Sequence, residues 1–427
     1  MKKIIYQILP RLWGNGHFSA IDRRTLSYLR SLGVDYIWFT GIPRHASGED
    51  FVKGNPGSPY AISDWKDTNP YLADEPQNRL DEFRDLAQRT HAQGMKVCTD
   101  FIPNHVARNY AGKLPHFDHC DYDWTDTLKV DWSRGETVDE MESILLFWIG
   151  LGVDAFRCDM VELVPAEQLG ILTRRIKEAH PHIIFIAEVY NKDNYRRYLD
   201  VAGFDYLYDK SGSYDILRGI LCSGTPAWEL TENWQRLGEI QGRMVNFLEN
   251  HDEQRIASPW FCGDAGKSMA ALAFSALFNN AAWMLYFGEE AGEDASEGFE
   301  GRTSIFEWAV PQSISRLHTH ITKGGRLRLK EKSVLDRYRE ISSYAQLPAF
   351  REGANWDLCY CQKEGFDHAR HFAFLRFKGQ DAYLVFCNFS ELEVNVTITL
   401  PSELCDLSSK PDIKITAAPW DYRIVKL

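Results

Sequence analysis

Residues 152–160, GVDAFRCDM, and residues 182–190, HIIFIAEVY, decide the fold together with what lies between them. Both are short runs of β-branched and aromatic residues, and Leu169, Leu172 and Ile176 recur at helical spacing in the intervening segment. A strand, a helix and a second strand in this order pair in parallel, because parallel neighbours need a crossover of about a dozen residues or more. Alternation along the first strand puts Arg157 and Asp159 on one face, and the second strand delivers Glu188 where its apolar run ends. One arginine and two carboxylates at adjacent strand ends are costly to bury unless they are paired or used. These strand ends are therefore read as a site.

The same unit repeats outward in both directions. Leu26, Leu29 and Leu32 lead through Gly33 to VDYIWFT (34–40), and Leu80, Phe83, Leu86 and Ala87 lead through Gly94 to MKVCTDF (95–101). Further strand runs are FDYLYD (204–209), MVNFLEN (244–250) and WMLYFGEE (283–290), and the chain starts in one from Ile4 to Leu9. Helical runs that stop at glycine and pass directly into strands give eight strands with helices between them, a (β/α)₈ barrel over residues 1–351. A doubly wound open sheet has the same rhythm, but no strand is followed by a glycine-rich phosphate loop. Beyond a helix over 333–345 the pattern changes: HFAFLRF, AYLVFCNF and VNVTITL follow one another without helices. Residues 352–427 are thus expected to form a small antiparallel β domain.

Composition narrows the function. A length of 427 residues suits one large and one smaller domain, and a net charge of -12 argues against nucleic acid or an anionic membrane as partner. The N-terminal run is interrupted by Pro10 and Arg11, so neither a signal peptide nor a membrane span is expected. Nine cysteines scattered without metal-like spacing read as free thiols in a reducing compartment, hence a cytoplasmic protein.

In a barrel of this kind chemistry sits at the carboxyl ends of the strands. There the sequence gathers Asp100, Asn104 and His105 after the third strand, Arg157 and Asp159 after the fourth, Glu188 after the fifth, and Glu249 to Glu253 after the seventh. Trp65, Trp124 and Trp132 fall in rim loops, where rings stack on flat ligands or simply pack. The acidic stretch HFDHCDYDWTD (116–126) reads as a solvated or rim loop. One of its aspartates with Asn104 is the candidate for a structural calcium site, whereas its histidines and cysteine are too compressed for zinc.

DFIPNH (100–105), GVDAFRCDM, FIAEV (185–189) and FLENHD (247–252), in this order and at these intervals, resemble the four signature regions of the alpha-amylase family of retaining glycoside hydrolases. IYQILPRLW (5–13), GVDYIWFTGI (33–42), SPYAISDWKDTNP (58–70) and YFGEE (286–290) are similar to its flanking patterns. The resemblance implies Asp159 as nucleophile, Glu188 as general acid and base, and Asp252 as the third carboxylate. It also implies that Arg157 orients Asp159, that His105 and His251 bind sugar hydroxyls, and that Tyr60 stacks under the ring being cleaved. Asp159 beside a guanidinium is expected to stay ionised, and Glu188, following an apolar strand, to have a raised pKa.

Two departures bear on substrate. Where many family members carry a Lys-His pair after the nucleophile, this chain has Met160-Val161-Glu162-Leu163, which reverses the charge. The loop after strand three, residues 106–138, is a shortened version of the family's domain B. The expectation is a retaining hydrolase of α-glucosidic bonds in malto-oligosaccharides or related α-glucans that needs no cofactor. The alternatives are a glucosyl-transferring or trehalose- or sucrose-processing relative and, in another class, a non-catalytic sugar-binding barrel, which the presence of all three carboxylates disfavours.

Overall fold

The computed structural model describes residues 1–363, 365–408 and 410–427. Eight strands, β1 (Ile4–Ile8), β2 (Tyr36–Phe39), β3 (Lys96–Phe101), β4 (Ala155–Cys158), β5 (Ile184–Ala187), β6 (Tyr206–Tyr208), β7 (Met244–Asn246) and β8 (Ala282–Tyr286), follow one another around a closed barrel. Nearly every strand residue is buried, as expected where helices cover the outside and side chains fill the inside. Gly33 and Gly94, which the sequence marks as stops, adopt positive φ, as do Gly152 and Gly203 ahead of the next strand runs. That conformation ends a helix cheaply only without a Cβ.

The chain forms two compact units. The first comprises Ile5–Tyr208 with Thr303–Leu327. It carries β2 to β6 and the helices α1 (Arg23–Ser31), α2 (Arg79–Ala92), α3 (Gly135–Gly150), α4 (Ala166–Ala179) and α5 (Tyr195–Asp200). Asp22 caps α1, its carboxylate accepting from the Thr25 N–H at 2.8 Å. Registers are in step across the sheet, with Asp100 opposite Arg157 and Arg157 opposite Ile186. The insertion after β3 is short, an antiparallel ladder of His105–Ala107 with Thr127–Lys129, and α3 begins at Gly135.

The second unit comprises Met1–Ile4, Asp209–Arg302 and Arg328–Leu427. It contains β7, β8, α6 (Asp215–Cys222), α7 (Trp228–Leu237), α8 (Met269–Leu277), and the C-terminal strands β9 (Ala354–Asp357), β10 (His371–Lys378), β11 (Asp381–Asn388), β12 (Val394–Thr399), β13 (Asp412–Ala417) and β14 (Tyr422–Lys426). The order is β9, β10, β11, β14 in one antiparallel sheet, with β12 and β13 as a separate pair. Every residue of α8 is buried, the signature of a helix apolar on all sides. Phe274 packs edge-on against Phe372 at 5.1 Å, and Phe278 against Phe374 at 5.2 Å. Arg376, fully buried, donates to the Phe350 and Phe278 carbonyls at 2.9 and 3.2 Å, satisfying backbone at helix ends. Among the described residues no helix is long and apolar enough to cross a membrane.

Candidate active site

Arg157 is the centre of the site. On β4 it has no exposed surface, and it lies over the rings of Trp38, Tyr60 and Tyr208 at 5.3, 5.5 and 5.5 Å. Its Nη1 donates to Asp159 Oδ1 at 2.5 Å, and its Nη2 meets Glu188 Oε1 at 2.9 Å. Burial alone would depress the guanidinium. Glu188, Tyr208, Tyr60 and Asp159 outweigh it and hold Arg157 firmly cationic. The sequence assigns this arginine to Asp159 alone, whereas the structure divides it between both carboxylates. Register explains the difference: the ends of β4 and β5 are adjacent, so one planar fork spans them.

Glu188 is held from two further directions. Tyr190 donates its hydroxyl to Oε1 at 2.6 Å, and the Met160 N–H donates to Oε2 at 2.9 Å. Met160, directly after Asp159, adopts φ 43° and ψ 40°, a left-handed conformation uncommon for a side chain of its size. Glu162, read from sequence as a charge reversal toward substrate, instead faces the loop after β5. Its Oε2 accepts from the Tyr190 and Asn191 N–H groups at 2.7 and 3.1 Å, and its Oε1 from Asn194 Nδ2 at 2.7 Å. It thus organises the segment that positions Tyr190. Sequence reasoning missed this role, whose only trace was an acidic residue ahead of a strand-end loop carrying two asparagines.

Tyr60 and His105 join the same group. The Tyr60 hydroxyl donates to Asp100 Oδ1 at 3.1 Å, and the Gly41 N–H to Asp100 Oδ2 at 3.3 Å. Burial pushes the Asp100 carboxyl up to about 6, with Arg157 pulling against it. Burial also pushes the His105 imidazole down to about 4, against a hydrogen bond to the Tyr60 backbone and the charges of Asp121 and Glu188. His105 is therefore neutral near pH 7 and offers one donor and one acceptor.

Asn104 comes together with an aspartate of the acidic stretch, as the calcium expectation requires, but with an ammonium beside it. Asn104 Nδ2 donates to Asp121 Oδ2 at 2.9 Å, while Lys129 Nζ lies 2.8 Å from Asp121 Oδ1. Asn104 Oδ1 is buried without a partner among the described residues. No group of three or more His, Cys, Asp or Glu side chains among them is arranged to hold a metal. This donor set fits calcium poorly, since six to eight oxygens are needed and Lys129 already compensates the one carboxylate present. Trp65 and Trp132 do not line a rim: they are 2% and 7% exposed, and the Trp132 indole donates to the Pro103 carbonyl. Trp124 is partly exposed, 5.3 Å from the His105 ring.

His251 and Asp252 belong to the second unit, beyond β7, where the five polar residues 249–253 separate by role. Glu249 is sealed against Arg255 at 2.7 Å. Asn250 Oδ1 accepts from the N–H groups of Asp252 and Glu253 at 2.8 and 2.9 Å, a turn-forming role. Glu253 is taken up by Tyr214 and Lys210 at 3.0 and 3.3 Å. Asp252 keeps 42% of its side chain exposed, with His251 Nε2 3.1 Å from its Oδ2. Of the carboxylates in this stretch it is the one presented outward.

The model of the alpha-amylase catalytic domain matches residues 14–126 and 116–381. The chain belongs to the alpha-amylase family. A maltosyltransferase of Cereibacter sphaeroides that uses α-1,4-glucan and maltose-1-phosphate is 26% identical over 48% of this family member and 39% of its own length. The alpha-amylase MalA of Haloarcula japonica is 29% identical over 71% of this chain and 45% of its own. The maltogenic alpha-amylase AmyB of Thermotoga neapolitana shares the fold, with a TM-score of 0.72 at 21% identity over 100% of this chain and 96% of that one. The chain spans only 31 to 39% of the length of the first maltosyltransferases it matches.

Proposed function

We propose that the protein is a retaining α-glycoside hydrolase acting on α-glucosidic bonds of malto-oligosaccharides or related α-glucans. The observation that carries this is the pairing of Asp159 and Glu188 on one guanidinium at the ends of β4 and β5. Retaining cleavage needs two carboxyl groups about 5 to 5.5 Å apart, a separation that two acids sharing one fork can satisfy. Asp159, kept ionised by Arg157, attacks the anomeric carbon as Glu188 gives its proton to the leaving oxygen. In the second half Glu188 takes a proton from water, which hydrolyses the glycosyl ester on Asp159. As Glu188 gives up its proton, two carboxylates come to face one guanidinium, and the negative charge that develops favours the oxocarbenium-like transition state.

The remaining roles follow from each group's chemistry. Tyr60 supplies a ring face, neutral His105 bonds to a sugar hydroxyl without importing charge, and Asp252 with His251 serves as the third carboxylate and its companion. Residues 1–351 make up the catalytic domain in this reading, with 106–138 as the short domain B and 352–427 as the C-terminal domain. No cofactor enters the chemistry. All eight described cysteines are free thiols, which supports a cytoplasmic setting.

Incubation with a 5-fluoro-α-glucosyl fluoride followed by peptide mass analysis tests the mechanism. The expected result is one glucosyl adduct on Asp159, and an adduct elsewhere overturns the assignment. Product analysis on maltoheptaose, with and without added maltose as acceptor, separates hydrolysis from transfer, because both pass through the same covalent intermediate.

A further inference from the structure

A glutamic acid that gives up a proton must carry it on one of two oxygens, and the two oxygens of Glu188 are not equivalent. Oε1 lies 2.9 Å from Arg157 Nη2 and accepts from the Tyr190 hydroxyl at 2.6 Å. Oε2 meets only the Met160 N–H, at 2.9 Å, among the described residues. Each carboxyl oxygen offers two lone-pair positions. On Oε1 both directions are taken, one of them by a cation, so a proton there would displace the phenol and face a guanidinium. On Oε2 one position is left.

Tyr190 is brought to Oε1 by its loop rather than by packing. Its ring is 36% exposed, too open to be fixed by apolar contacts alone. Its backbone N–H instead donates to Glu162 Oε2 at 2.7 Å, three residues beyond the end of β5. The chain thus spends one buried-facing hydroxyl and one anchored loop on a single oxygen atom.

We propose that Tyr190 is a positioning residue for the acid step, fixing the transferred proton on Glu188 Oε2 and keeping Oε1 as an acceptor throughout. The inference rests on Glu188 as general acid, and adds the atom that acts and the group that selects it. In the first half-reaction the O–H bond at Oε2 breaks as the glycosidic C–O bond breaks. The leaving oxygen takes the proton, and the electron pair left behind spreads over both oxygens of Glu188. The hydrogen bond from Tyr190 therefore strengthens as charge develops, which is how a contact lowers a barrier rather than merely binding. In the second half-reaction Oε2 takes a proton from the attacking water.

The test compares two leaving groups through kcat/KM, which reports events up to the first irreversible step. Maltotriose leaves as an alkoxide unless protonated, whereas the phenolate of 2,4-dinitrophenyl α-maltoside departs without a proton. Tyr190→Phe is expected to lower kcat/KM on maltotriose roughly tenfold or more, the worth of one hydrogen bond to a charged group. On the dinitrophenyl substrate the loss should stay below about twofold, since no acid is needed there. A merely structural role would depress both alike. Melting temperature checks folding, and if Tyr190→Phe does not fold, Glu162→Gln, which loosens the same loop without touching the ring, should show the same split. Equal losses on the two substrates, or none on maltotriose, overturn the proposal. Glu188→Gln, run alongside, separates the two levels of the reading. Near-normal turnover of maltotriose by that variant removes the catalytic assignment itself, whereas a leaving-group split in Glu188→Gln with none in Tyr190→Phe removes only the role given to Tyr190.

Discussion

Two buried arginines, Arg157 on β4 and Arg255 in the loop beyond β7, behave differently, and the contrast separates structure from chemistry. Arg255, in the second unit, pairs with Glu249 at 2.7 Å, gives its other nitrogen to the Phe287 carbonyl at 2.9 Å, and packs on the Tyr286 ring at 4.1 Å. Glu249 spends its remaining oxygen on the Ile256 N–H at 2.7 Å. Glu293 adds a further carboxylate charge at Arg255, and the whole cluster is closed off from water. Nearby, Glu289 is pushed well above the usual carboxyl range, by burial first and then by the Glu249 charge, and the Tyr338 hydroxyl donates to it at 2.8 Å. Arg157 has the same aromatic bed but faces two carboxylates, one of which, Asp159, keeps a tenth of its side chain open to solvent. A charged cluster sealed from solvent is architecture. A cation shared by two carboxylates, one of them reachable from solvent, is placed for a ligand.

The largest expected effect breaks or upholds that distinction directly. Asp159→Asn and Glu188→Gln should each lower kcat by roughly 10⁴-fold or more, the scale on which a nucleophile or its proton partner is lost, with little change in melting temperature. Near-normal turnover in either variant would dissolve the contrast. Glu249→Gln should do the reverse: activity per folded molecule persists, while stability in urea falls by about 3–5 kcal/mol because fully buried Arg255 loses its ion-pair partner.

A subtler expectation concerns Glu162. Its replacement by glutamine leaves a single acceptor oxygen for three donors, so Tyr190 loosens around Glu188. kcat should drop roughly tenfold, as misplacement of a catalytic group does, with KM held. A change in stability alone, with kcat unmoved, would reduce Glu162 to a loop anchor.

pH dependence sharpens the electrostatics. Asp100 holds its proton in the folded state up to about 6, while the unfolded chain loses it near the ordinary aspartate value of 3.8. Its stabilising contribution is thus complete below pH 4 and is lost as pH rises through 6, by at most about 3 kcal/mol. His105, pushed down to about 4, works in the opposite sense: its contribution is present above pH 6.5 and is lost as pH falls toward 4. In melting scans from pH 4 to 7, wild type should lose stability relative to Asp100→Asn as pH rises and gain it relative to His105→Gln. The smallest effect is expected from EDTA. With Lys129 on Asp121, chelation should move the melting temperature by less than about 1 °C, below what 1 kcal/mol would give, and a clear drop would reinstate calcium.

The barrel was legible because its signals are local: glycine stops in left-handed conformation, and apolar runs whose period changes from helix to strand. The C-terminal strands β10, β11 and β12 were legible for the same reason. β9, β13 and β14 were not, because ANWD, DIKITA and YRIVK are short and largely exposed or half-buried, and they exist only through pairing with distant segments. Around the site, residue identities followed from motif order, while sharing did not. That Arg157 serves two acids, that Glu162 turns to its neighbouring loop, and that Lys129 sits against Asp121 are facts of proximity across the fold. Trp65 and Trp132 illustrate the converse, since loop position says nothing about which way a ring turns.

The left-handed turn at Met160 has a mechanical consequence. Because the peptide that follows Asp159 is the one whose N–H rests on Glu188, the two acids are fastened to the same short piece of backbone. A shift of one strand end against the other therefore has to stretch that hydrogen bond, which ties the spacing of the two acids to backbone as well as to Arg157.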